Sequence, residues 1–222
     1  MSKNGFFLVL DGIDGCGKSS QSRMVSKYFK DKGYKTHITA EPTNMEIGKI
    51  LRKSLKNEHT PTALDALLFA ADRIDHCIHE IIPLLEKGYL VISDRYRDSS
   101  YIYQTIQGKK RDEDITMDWV KTINNKSLNP DLTIILDLKP EIALNRRIKE
   151  NSENRQEMEK FEKLEFQKQV RFLFQKLTKE NQENPKDPHI SIKGNRTKKE
   201  IFENILGILR KKKIQNQLSK KK

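Results

Sequence analysis

The sequence predicts a three-layer α/β fold, a five-stranded parallel sheet flanked by helices, and two observations carry that prediction. Short apolar runs alternate with longer amphipathic segments, an order that lays strands parallel and covers both faces of the sheet with helices. The first run, Phe6 to Leu10, leads directly into Gly12-Ile13-Asp14-Gly15-Cys16-Gly17-Lys18-Ser19, a complete phosphate-binding loop at the handover from strand to helix. The expected fold is therefore that of a P-loop NTPase, with a mobile lid.

The elements follow in chain order. After the loop, Met24, Val25, Tyr28 and Phe29 mark an amphipathic helix that Gly33 stops. Tyr34 to Ala40 is the second strand, broken by Glu41-Pro42-Thr43. Ile47 to Leu55 reads as a short helix and Asp65 to Leu85 as a long one. On the long helix Leu64, Leu67, Leu68, Ala71, Ile74, Ile78, Ile81, Ile82 and Leu85 recur at helical period, and this stripe is expected to face the core. Gly88 ends that helix before the strand Tyr89 to Ile92, and the turn Asn129-Pro130-Asp131 precedes the strand Leu132 to Leu136. Ile190 to Ile192 is a weak fifth strand. A final helix carries Ile201, Phe202, Ile205, Ile208 and Leu209 on one face. No internal repeat is present.

With 222 residues, the chain is read as one domain over 1–209, a lid at about 146–160 within it, and a basic tail over 210–222. Hydrophobic and charged contents of 35% and 33% are those of a highly charged soluble protein, and no apolar run approaches the roughly 20 residues of a membrane span. The first residues lack the apolar stretch of a secretory signal, so a cytoplasmic location without membrane contact is expected. Cys16 and Cys77 are read as reduced, structural thiols. The net charge of +12 is concentrated at the end, where Arg210, Lys211, Lys212, Lys213, Lys220, Lys221 and Lys222 occur without an acid. That is the pattern of a solvated end more than of a groove, so no specific nucleic-acid partner is expected beyond nonspecific polyanion affinity at low salt.

The loop residues explain their own chemistry. Glycines let backbone N–H groups turn inward as an anion nest, Lys18 adds a cation at the β- and γ-phosphates, and the Ser19 hydroxyl can ligate Mg²⁺. Gly12 to Ser19 is thus the expected ATP site. Beyond the third strand, at the carboxyl edge where open α/β sheets bind ligands, stands Asp94-Arg95-Tyr96. Asp94 is suited to the metal or its waters, and Arg95 to clamping a phosphoryl group. The stretch from Arg146 to Phe161 is polar with no core-facing period; it reads equally as a solvated helix or as an arginine-bearing lid.

This pattern resembles the thymidylate kinases, nucleoside monophosphate kinases of the P-loop type, over nearly the full length. The resemblance rests on Asp11 to Ser20, Glu41-Pro42-Thr43 with Ile47-Gly48 and Arg52, Leu67 to Arg73, Asp94 to Gln104, Pro130 to Thr133, Leu136-Asp137 and Pro140-Glu141. It implies ATP- and Mg²⁺-dependent phosphorylation of dTMP to dTDP, in a homodimer joined near the Leu64 to Leu85 stripe. Phe69 and Arg73, four residues apart on one helical face, look like the pair that meets thymine; taken alone they read as a core residue and a surface ion pair. Ser99 and Gln104 look like contacts to the far edge of the base, and Tyr103 like the aromatic that crowds the sugar 2′ position. Asp14 resembles the carboxylate aimed at the 3′-hydroxyl, Arg95 the acceptor-phosphate contact, and Arg52 a second clamp. Thr43-Asn44 stands where some members carry an arginine or glycines. Members place a catalytic arginine in the phosphate loop or on the lid. Gly15 and Cys16 fill the loop positions here, so Arg155 is the expected catalytic arginine, supported by Arg146 ahead of Arg147. The alternatives are a deoxynucleoside kinase, with Glu41 as its weak candidate base, or another pyrimidine nucleoside monophosphate kinase. A GTPase switch is excluded at Asn125-Lys126-Ser127-Leu128, which lacks the last residue of a base reader. A noncatalytic nucleic-acid binder would leave Asp94-Arg95 unexplained.

Overall fold

The structure, a computed structural model, describes residues 4–57, 59–150 and 157–219. Five strands, β1 (Phe6–Asp11), β2 (Thr36–Ala40), β3 (Leu90–Asp94), β4 (Leu132–Asp137) and β5 (His189–Lys193), form one sheet in the order β2-β3-β1-β4-β5. All the pairings are parallel. The helices are α1 (Lys18–Asp31), α2 (Glu46–Ser54), α3 (Thr62–His76), α4 (Ile82–Glu86), α5 (Arg97–Lys110), α6 (Met117–Ile123), α7 (Pro140–Glu150), α8 (Glu157–Asn181) and α9 (Lys198–Lys211). β1 is buried throughout because it is central and covered on both faces. Phe7 and Val9 pack with Ile81, Leu85, Val91 and Tyr96. Phe6, Leu8 and Leu10 join the larger cluster with Val25, Phe29 and Ile134. Leu10 is in register with Asp94, so the phosphate loop and the Asp94-Arg95 turn leave the sheet side by side.

Two expectations are corrected. The long helix is interrupted by a π-helical turn at Cys77–Ile81 between α3 and α4, and its apolar stripe is not the core face. Leu64, Leu67 and Ile78 are 47%, 48% and 54% exposed, whereas Asp65, Asp72, Arg73 and His76 are buried. The helix turns its polar face inward, where Asp72 accepts hydrogen bonds from the Thr43 N–H (2.8 Å) and hydroxyl (2.5 Å). From the end of the π turn, which adds a residue and shifts the register, Ile81 and Leu85 do reach the core. The second correction concerns the basic end, which is not solvated as far as Ser219. Ile214 and Leu218 are buried, the Ser219 N–H donates to the Gly88 carbonyl at 2.9 Å, and its carbonyl accepts from Lys35 N–H at 3.1 Å. Two apolar side chains among the lysines suffice to dock the segment.

Behind the site, the start of α5 is tied to β5 by a buried charge network. His189 contacts Asp98 Oδ2 at 2.6 Å, and Arg97 donates to Asp187 at 2.5 Å and Asn129 at 2.6 Å. Asp98, Asp187 and His189 lie close enough to hold a metal ion, but Arg97 and a protonated His189 already supply the positive charge. Burial opposes that protonation, yet the hydrogen bond and charge of Asp98, with Asp187, push the imidazole up to about 9 from an ordinary 6.5. A raised folded-state value contributes stability that is complete below pH 6.5 and is lost as pH rises through 9. Unfolding free energy is therefore expected to fall by about 3 kcal/mol across that window, at about 1.4 kcal/mol per unit. Urea melts from pH 6 to 9.5 measure it, and His189→Gln should remove the slope; an equal slope in that variant would place the titration elsewhere.

Candidate active site

The phosphate loop needs its glycines for geometry. Gly12 and Gly15 have φ of +133° and +79°, and a Cβ would lie 2.8 Å from the Leu136 carbonyl oxygen at Gly12 and 2.8 Å from that of Ala143 at Gly15. Only glycine tolerates both the left-handed φ and the close approach. The loop curls around the buried Lys18, whose Nζ donates to the carbonyls of Gly12 and Ile13 at 3.0 Å each. Cys16 is buried and free, and burial pushes its thiol up, so it is unreactive packing for the loop. Ser19 Oγ donates to Asp94 Oδ2 at 2.5 Å, which brings together the two oxygens the sequence nominates for a metal. A cavity of about 520 Å³ is lined here by Asp14, Gly15, Lys18, Ser19, Asp94 and Arg95, with Arg147 at its rim.

Arg95 has φ +72°, an uncommon backbone state for a side-chain-bearing residue and one that clusters at functional sites. Its N–H donates to the Leu10 carbonyl at 3.0 Å. Its guanidinium pairs with Asp14, donates to Ser99 Oγ at 3.0 Å, and lies 5.2 Å from the Tyr103 ring centroid. Ser99 in turn donates to Asp11 Oδ1 at 2.8 Å, so its hydroxyl braces Arg95 and Asp11 instead of standing free for a base. Asp11 is a residue the sequence reading passed over. It is fully buried, accepts the Gly12 N–H at 2.9 Å, and is pushed up to about 6 by burial against the pull of Arg95 and Lys18. The available signal was an acid ending an otherwise apolar central strand.

A second cavity, about 230 Å³, adjoins this one and is lined by Phe69, Arg73, Arg95, Ser99, Tyr103 and Gln104 among others. All six were nominated from the sequence. Arg73 is 1% exposed, not a surface residue: Nε donates to Glu41 Oε2 at 2.8 Å, Nη2 to Ser100 Oγ at 2.9 Å, and Nη1 to Asn124. Burial opposes its charge, but Glu41 more than restores it. Gln104 Oε1 is buried with no partner among the described residues. Glu41 was nominated only as a candidate base, and its convergence with Ser100 and Asn124 on Arg73 was not foreseen, because three separated segments supply them.

Three arginines differ from expectation. Arg52 lines a neighbouring cavity of about 740 Å³ with Ser19 and Asp94, but its guanidinium donates to the Pro42 carbonyl at 3.0 Å, to the Thr43 carbonyl and to Asn44 Oδ1. It braces the Glu-Pro-Thr loop and is not an open clamp. Arg146, ranked above Arg147, donates to the Gly194 carbonyl at 3.2 Å instead. α7 approaches the phosphate loop through Ala143, and the residue one turn on is Arg147, whose Cγ would be 3.1 Å from a Cβ on Gly15. Arg155 lies outside the described residues.

A parallel sheet with a glycine-lined lysine loop, an adjoining Ser–Asp pair and an arginine at the next strand end defines the class of P-loop phosphotransferases. The sequence profile described as thymidylate kinase matches residues 10–205. The chain is 44% identical over 168 residues to a probable thymidylate kinase of Staphylothermus marinus, covering 76% of this chain and 79% of that one. It is 39% identical over 180 residues to a probable thymidylate kinase of Pyrococcus horikoshii (78% and 82%). It is 36% identical over 207 residues to a thymidylate kinase of Caldicellulosiruptor saccharolyticus (92% and 96%). The chain belongs to the thymidylate kinase family.

Proposed function

We propose that this enzyme transfers the γ-phosphoryl group of ATP to the 5′-phosphate of dTMP, giving dTDP. The observation that carries the reading is that the wall of the smaller cavity holds both the buried Arg73 guanidinium and Gln104 Oε1, which has no partner among the described residues. Thymine offers an acceptor at O4 and a donor at N3; cytosine offers a donor and an acceptor there, so both contacts would reverse. Phe69 supplies a ring for the base, and Tyr103 crowds the sugar 2′ position. In the adjoining cavity the loop N–H groups and Lys18 hold the triphosphate. Arg95 grips the acceptor phosphate while Asp14, its ion-pair partner, stands at the sugar 3′ side. Ser19 and Asp94 are the fitting ligands for Mg²⁺, a hydroxyl and a carboxylate in contact at the loop mouth, and the ion would neutralise phosphate charge there. No protein nucleophile is needed: the acceptor phosphate attacks the γ-phosphorus, and the site contributes alignment and charge. A deoxynucleoside kinase would need a free general base, and Glu41 is engaged on both oxygens by Arg73 and His76.

A coupled assay with ATP and a panel of nucleoside monophosphates tests the reading, with dTMP expected to be the best substrate. Arg73→Ala should lower kcat/KM for dTMP by about 1–3 kcal/mol, the cost of leaving a buried polar group unpaired. Equal use of dTMP and dCMP by the unaltered protein would overturn the base assignment.

No described helix is long and apolar enough to cross a membrane, and we read the enzyme as cytoplasmic. We also read it as a homodimer, because Ile50, Leu64, Leu67 and Ile78 on α2, α3 and the π turn leave one apolar face exposed. Sedimentation should show a dimer that Leu67→Glu converts to monomer; a monomeric parent would end this reading.

A further inference from the structure

Four polar side chains form one chain of contacts that ends in the wall of the smaller cavity, and three of them, His76, Glu41 and Arg73, are buried. It starts at β2, where Thr39 Oγ1 meets His76 Nε2 at 2.8 Å. His76 Nδ1 meets Glu41 Oε1 at 3.1 Å, and Glu41 Oε2 accepts from Arg73 Nε at 2.8 Å. His76, Glu41 and Arg73 have side chains 0%, 2% and 1% exposed. The two ring nitrogens of His76 bridge the Glu41 carboxylate and the Thr39 hydroxyl, with Nε2 also 3.9 Å from Glu80 Oε1. The carboxylate is thus gripped at both oxygens, by Arg73 on one and His76 on the other.

The backbone places these groups deliberately. Glu41 stands one residue beyond β2, with its N–H directed to the Asp94 carbonyl at 3.4 Å. His76 is the last residue of α3, and the π turn begins immediately after it. Local π turns re-aim side chains and are frequent at functional sites. Arg73 donates to Glu41, Asn124 and Ser100, and its Nη2 also lies 2.6 Å from Glu41 Oε2, which leaves the second N–H of Nη1 for a group in the cavity it lines. The guanidinium plane is held by Glu41, Asn124 and Ser100 together, and the Glu41 carboxylate is the charged member of the three.

We propose that Glu41 and His76 are positioning residues for base selection, helping to fix the Arg73 guanidinium so that its remaining N–H meets the O4 edge of a 5-methylpyrimidine. The proposal rests on the reading of this cavity as the nucleobase site. Glu41 and His76 act through Arg73 and touch no reacting atom. Loosening either one frees the guanidinium to rotate, which reduces the penalty for an exocyclic amino group more than it reduces binding in general.

The test is calorimetric binding of dTMP and of dCMP to the full-length protein and to His76→Gln, His76→Ala and Glu41→Gln, with melting temperatures alongside. Binding reports selectivity whether or not turnover is altered. The dTMP-over-dCMP affinity ratio should fall by about tenfold or more in His76→Ala and Glu41→Gln, the size of one hydrogen-bond contact. In His76→Gln it should fall by less than about threefold, because a side-chain amide still donates to Glu41. If Glu41→Gln does not fold, the two His76 variants decide the matter. A selective parent whose folded variants keep the same ratio overturns the positioning role and leaves the base site standing. A parent that binds dTMP and dCMP equally overturns both.

Discussion

Replacing Lys18 with alanine is expected to reduce phosphoryl transfer by about 10³ or more, while the fold survives. Lys18 is 7% exposed, and its ammonium sits in the concave side of its own loop, on the carbonyls of Gly12 and Ile13. It is a flexible four-carbon stem ending in three donors, so the same side chain serves the carbonyls or the β- and γ-phosphates with a change of rotamer. Its removal empties no apolar core volume, and the loop keeps the backbone bond from Cys16 N–H to the Ile13 carbonyl at 3.3 Å. A melting temperature close to that of the parent together with lost turnover is the expected pair of results. Turnover near that of the parent would end the phosphate-loop assignment.

What the sequence disclosed and what it withheld divide along a physical line. The strands and the phosphate loop were legible because each is written in consecutive residues: an apolar run, then glycines at fixed spacing before Lys18-Ser19. β1 to β5 stand where the runs predicted, within a few residues at each end. The contacts that assemble the cavities are not local. Arg73 takes its partners from Glu41, Ser100 and Asn124, and nothing in the spacing of those residues announces that they converge. Phe69 and Arg73, which line the smaller cavity, were nominated by family resemblance, and periodicity alone pointed to a different face.

Periodicity itself failed in an instructive place. The Leu64 to Leu85 stripe has the right spacing for a core face, yet Leu64, Leu67 and Ile78 are exposed and the opposite face, with Asp65, Asp72, Arg73 and His76, is buried. A hydrophobic stripe shows that a helix has an apolar side to cover, not what covers it. Buried polar groups that satisfy one another can outcompete apolar packing for the inner face when they form a closed network. Here Glu41 and Arg73 of that network line the smaller cavity, the proposed base site. The basic end failed for the opposite reason: a run of lysines masked Ile214 and Leu218, which anchor it.

The last prediction concerns the arginine that stabilises the transferring phosphoryl group. Gly15 and Cys16 leave the loop without one, so the proposed arginine is sought on α7 or in the polar stretch beyond it. Among the described arginines of α7, Arg147 is at the rim of the phosphate cavity and Arg146 is turned to the Gly194 carbonyl. Consecutive helical residues point about 100° apart, so one cannot substitute for the other without rotation of the helix. Arg155→Ala is expected to lower kcat by about 10³ with a small change in KM for dTMP, since an interaction made chiefly in the transition state is lost. Arg147→Ala should follow the same pattern to a lesser degree, and Arg146→Ala should leave kcat within about threefold of the parent. Lysine at 155 should recover little, because a point charge on a flexible stem does not reproduce a planar fork that bridges two phosphate oxygens. Steady-state kinetics of the variants decide the assignment. An unchanged kcat in Arg155→Ala with a large loss in Arg147→Ala would move the role onto α7, and an unchanged kcat in all three alanine variants would remove arginine from the chemical step.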